Sequence, residues 1–137
     1  MVRILAWLQA LLLGGNGLVM LFAGLWWYGV VPGVTATGPY NPHFVRDIGA
    51  AYFAVAAALS MFAVRPREAA PALIPAALFL TLHSVIHVFD AVCGPRPLDD
   101  TLRDFAGVHL PTLITLGLAI AAGRPEPKET RHAENLA

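Results

Sequence analysis

Four long apolar stretches, separated by short polar breaks, run along this chain, and ionisable side chains recur inside them at helical spacing. A membrane-spanning helix needs about 20 mostly apolar residues. The stretches cover about 4–31, 42–64, 71–93 and 101–122. Each carries local boundary chemistry. Asn41-Pro42 supplies an N-cap followed by proline at the first helical position, where a missing N–H does no harm. Pro71 can open the third helix in the same way, and Asp99, Asp100 and Thr101 supply acceptors before the fourth. Gly123 and Pro125 end it. Pro75 and Pro111 fall inside helices and should bend them. The first stretch is too long for a secretory h-region of about 7–15 residues, so it reads as a span.

The pattern predicts an all-α, up-down antiparallel bundle of four transmembrane helices in residues 1–123, followed by a polar, disordered tail at 124–137. The loops then set orientation. Arg3, Arg65, Arg67, Arg124, Lys128 and Arg131 fall on one side, and Arg46, Arg96 and Arg103 on the other. That asymmetry puts both termini in the cytoplasm. Trp26, Trp27, Tyr28 and Tyr40 form an aromatic belt at the far surface.

Depth brings the polar groups together. At about 1.5 Å per residue, Asp47 lies about 6 Å below His43 at the mouth of the second span. Asp90, His87 and His83 lie about 4, 9 and 15 Å below the end of the third, and His109 about 12 Å into the fourth. All six fall in the outer half of the membrane. His43 and Asp47 share a face that continues through Ala50, Ala54 and Ala58, a small-residue stripe expected to face the bundle. His83, His87 and Asp90 share another face. Pro111 cannot donate to the carbonyl of Gly107, which leaves an acceptor free near His109. Asn16, set among glycines at mid-membrane, is placed to bond to a neighbour.

Composition agrees with this class. The chain of 137 residues is 57% hydrophobic and only 13% charged, far below the roughly 25% charged of soluble domains. The net charge of zero gives no reason to expect a nucleic-acid partner. The single cysteine, Cys93, excludes an internal disulfide. The expected partners are the lipid bilayer and a membrane protein or a second copy of the chain.

Buried ionisable groups in a membrane mark a functional site. The expected pocket is lined by Asn16, His43, Arg46, Asp47, His83, His87, Asp90 and His109. Its metal-ligand candidates are His83, His87, Asp90 and His109, because two imidazoles one turn apart with a third group from another helix suit zinc, iron or copper. Haem between facing histidines, or a quinone, are further candidates. A through-membrane proton path is poorly supported, since Asn16 and Gln9 are the polar groups of the inner half. The competing reading is a His/Asp/Arg network that only fixes helix packing, in a structural or partner-binding subunit.

The stretch Gly38-Pro-Tyr-Asn-Pro-His-Phe-Val-Arg-Asp47-Ile-Gly, with His83-x-x-x-His87-x-x-Asp90 after it, resembles small bacterial four-helix membrane proteins of DoxX-like type. The resemblance implies a bacterial inner-membrane bundle and an accessory role in a redox membrane system. It carries over no catalytic motif.

Overall fold

The computed structural model describes residues 1–123, so the expected disordered tail lies outside the described residues. The described chain is helical throughout its long elements. Helix α1 spans Val2–Phe22, α2 Gly24–Val30, α3 Pro42–Val64, α4 Leu73–Cys93, α5 Pro97–Asp104 and α6 Leu110–Ala122. Short 3₁₀ turns at Val34–Thr37 and Ala70–Ala72 lie in the connections, and a π-helical turn, Phe105–His109, joins α5 to α6. Four helical stretches are long and apolar enough to cross a membrane: Val2–Phe22, Pro42–Val64, Ala70–Cys93 and Pro97–Ala122. Large apolar side chains such as Leu8, Leu11, Phe53, Leu78, Ile86 and Leu113 point outward from all four. In water that surface would be an aggregation hazard, whereas hydrocarbon accommodates it.

Helices α1 and α3 pack most closely, and glycine makes the approach available. A Cβ on Gly17 would lie 2.7 Å from the Gly49 carbonyl oxygen, and one on Gly49 would lie 2.8 Å from Met20 Cβ. Gly14 faces Ala56 in the same seam. At one end Arg3 donates from Nε to Ala63 O (2.7 Å) and from Nη2 to Val64 O (3.3 Å), filling carbonyls that the end of α3 leaves open. The apolar core includes Leu13, Met20, Leu59, Leu73 and Leu80, all essentially inaccessible.

Several boundaries differ from expectation. The first apolar stretch is two helices, broken at Ala23 (φ −131°, ψ 36°). Gly24 then packs tightly, since a Cβ there would meet Tyr40 Oη at 3.1 Å and Val45 Cγ1 at 3.2 Å. Asn16 holds the break from below, its Oδ1 accepting from Trp27 Nε1 at 2.8 Å. The third helix starts at Leu73 after the 3₁₀ turn, so Pro75 falls in its first turn. No intrahelical bond is lost there, and the expected cause of a bend disappears. Pro111 does act as a breaker. Leu110 N–H reaches back five residues to Phe105 O, and the ladder widens into the π turn just before the proline. The last span begins at Pro97, which places Asp99 and Asp100 inside its first turn rather than before it.

Candidate functional site

Ser84 and His87 of α4 face the π turn and α5, with His83 beside them, and the polar cluster forms there. His87 Nδ1 and Asp104 Oδ2 are 2.7 Å apart. Asp104 also accepts from Arg103, at 2.9 Å from Nε and 3.3 Å from Nη2. Arg103 Nη1 donates to Asp100 Oδ1 at 2.6 Å. A carboxylate that already accepts from a guanidinium accepts from the imidazole as well, so His87 carries its proton on Nδ1. A neutral His87 then presents Nε2 as a lone pair.

The loop after α2 closes over this network. Gly33 has φ +85°, a left-handed conformation suited to glycine. A Cβ on it would lie 2.5 Å from Arg103 Cζ and Nε, so the backbone lies directly against the guanidinium. Asp104 is the more enclosed partner, with 13% of its side chain exposed against 32% for His87.

His83 contributes ring contacts. It stacks on Phe79 (centroids 5.8 Å, 14°), meets Tyr52 edge-on (5.6 Å, 84°) and lies 4.7 Å from the His87 ring. Tyr52, on α3, is the connection from that helix into the cluster.

His109 sits at the end of the π turn and is buried. Its Nδ1 lies 2.7 Å from Ser84 Oγ, and its Nε2 is fully enclosed with no hydrogen-bond partner among the described residues. The other buried polar side chains continue down the same helix. Thr112 Oγ1 lies 3.1 Å from Leu80 O and 2.8 Å from Val108 O. Thr115 Oγ1 accepts from Gln9 Nε2 at 3.3 Å, and Gln9 Nε2 also donates to Pro111 O at 2.9 Å. Gln9, His109, Thr112 and Thr115 therefore form one buried polar seam between α6 and its neighbours.

Several expected members are elsewhere. His43 and Asp47 pair at 3.4 Å, with 88% and 62% of their side chains exposed. Their face, through Ala50 and Ala54, is also exposed, whereas Gly49, Tyr52 and Ala56 make the buried seam of α3. Of the expected small-residue stripe, Ala50 and Ala54 therefore point away from the bundle, while Ala58 is half-buried and packs against the core. Arg46 is exposed and makes no ion pair among the described residues. Asp90 is exposed and its side chain makes no hydrogen bond among the described residues, and Asp104 takes the place expected for it. Asn16 bonds to Trp27 and lies within 3.6 Å of Met20 Sδ, outside the cluster. Among the described residues, no three or more His, Cys, Asp or Glu side chains are grouped as a metal ion would need. Two apolar grooves of about 360 and 340 Å³ lie between α4 and α6 and between α1 and α3, and no histidine lines either.

Ser84, Arg103 and Asp104 were the members that sequence reasoning missed. Ser84 adjoins His83, and Asp104 lies five residues before His109, a spacing that shares a face only on a π turn. Comparison with family models, with curated proteins and with solved structures finds no match to this chain in any of the three.

Proposed function

We propose that this chain is a multi-pass protein of a bacterial inner membrane that binds a small ligand at the His83–His87–His109 cluster. The bundle runs antiparallel with both termini cytoplasmic, which puts the cluster toward the periplasmic side. The Lys and Arg distribution supports that orientation. Successive close approaches of α1 and α3, Arg3 with Ala63, Gly14 with Ala56 and Gly17 with Gly49, support the antiparallel course. A role beside a redox membrane system follows from the DoxX-like resemblance alone.

The observation that carries the binding reading is the orphan nitrogen of His109. A buried polar atom without a partner costs about 1–3 kcal/mol. A packing network would have no reason to hold one, since every such group can be replaced by an apolar one. The rival reading, helix packing alone, accounts well for Asp104, which is bonded on both sides. It leaves His109 Nε2 unexplained.

The test compares wild type with His109→Leu, each purified without a histidine tag from native membranes. Metal content, the absorption spectrum and mass spectra of extracted small molecules report the bound species, and circular dichroism reports the fold. The expected result is a stoichiometric species in wild type that the variant loses while its helix content is unchanged. Equal contents in both proteins would leave the packing reading in possession.

A further inference from the structure

Building on the ligand-binding reading, we infer that His109 offers its ligand an N–H donor, and that the ligand is a neutral, lipid-soluble molecule presenting a carbonyl oxygen. The argument starts from Ser84. A helical serine ordinarily donates its hydroxyl proton to the carbonyl four residues back. Here that carbonyl is Leu80 O, to which Ser84 Oγ makes no hydrogen bond among the described residues. Among the described residues Ser84 Oγ has one partner, His109 Nδ1 at 2.7 Å. The hydroxyl proton therefore goes to Nδ1, and a neutral imidazole that accepts at Nδ1 carries its own proton on Nε2. The opposite tautomer would leave two groups unsatisfied, the serine proton and an enclosed Nε2 lone pair. The doubly protonated ring would be a buried charge within an apolar span, with no carboxylate bonded to it.

The enclosed atom is thus a donor, and its complement is an acceptor oxygen. A metal ion is the wrong partner for an N–H. Charge narrows the class further. Arg103, the cation of the cluster, is already bonded to Asp100 and Asp104, so an anion would enter without a countercharge. The surroundings on the same helices are apolar and outward-facing, with Ile86, Val88 and Phe89 on α4 and Leu110 and Leu113 on α6. A neutral carbonyl compound arriving through the hydrocarbon fits that setting, and the groups already seated around His109 must open to admit it.

The test uses the full chain, labelled with ¹⁵N-histidine, in phospholipid nanodiscs, with the His109 signals assigned from their absence in His109→Gln. The expected spectrum shows His109 protonated at Nε2 and bare at Nδ1, a bias that Ser84→Ala removes. Decylubiquinone, used as a fully substituted lipid-soluble diketone, should shift the Nε2–H resonance saturably, and zinc should leave it in place. A proton found on Nδ1, or one displaced from Nε2 by zinc, overturns this inference while the ligand-binding reading stands. A fixed Nε2–H that exchanges only with a bound water, unmoved by either probe, together with no bound species in native preparations, overturns both.

Discussion

A single methyl group measures how closely α1 and α3 approach. At Gly17 the added carbon would meet backbone, at 2.7 Å from Gly49 O and 3.1 Å from Phe53 N, and backbone cannot swing aside. Gly17→Ala should therefore cost about 1–3 kcal/mol through overpacking. Gly15, two residues away, has nothing within 4 Å of its missing Cβ. Gly15→Ala should be neutral or stabilising by up to about 1 kcal/mol, because alanine loses less backbone freedom in a helix. Reversible unfolding of the two variants in mixed micelles checks both, and equal effects would sink the account of this seam. The contrast also shows what could be read in advance. Glycine abundance in the first span is plain in the sequence, but which glycines face a neighbour depends on the rotation of the helix. The same uncertainty put the small-residue face of α3 at Ala50, Ala54 and Ala58, of which only Ala58 packs against the core, while the buried face runs through Gly49 and Ala56.

At the scale of elements, apolar length carried most of the fold. The second span was legible to the residue, because Asn41 caps it by accepting from His43 N and Phe44 N and Pro42 follows. The break at Ala23 was not, since the apolar run continues across it and the cause is tertiary packing at Gly24. The π turn was half legible. Pro111 announced a missing hydrogen bond, but the widened turn before it sets which side chains share a face. That turn brings Asp104 to His87 and His109 to Ser84. Pro111→Ala restores the N–H and favours an ordinary helix, which would rotate residues on one side by about 100°. The expected outcome is loss of the Ser84–His109 hydrogen bond, read from the histidine ¹⁵N shifts, with far-ultraviolet circular dichroism unchanged. Retention of the bond in that variant would show that packing, and not the proline, holds the turn.

At the scale of the whole molecule, four apolar helices and outward-facing apolar side chains define how the chain meets its solvent, and the polar cluster sits near one end of two of them. Cys93, exposed at the end of α4 and the only cysteine of the chain, is a ready reporter of sidedness. With the cluster toward the periplasm, a membrane-impermeant maleimide should label Cys93 in intact spheroplasts. Glu68→Cys in a Cys93→Ser background should react only after lysis. The reverse pattern would invert the topology and move the cluster to the cytoplasmic side. The central claim is that His109 is kept for binding and not for folding, and the double variant Ser84→Ala/His109→Leu tests it most directly. Replacing both partners of a hydrogen bond with apolar groups is close to neutral or stabilising. The free energy of unfolding in bicelles, measured on ligand-stripped protein, should therefore stay within about 1 kcal/mol of wild type or rise above it. A loss of more than about 2 kcal/mol would instead make the Ser84–His109 contact a structural one and contradict the account.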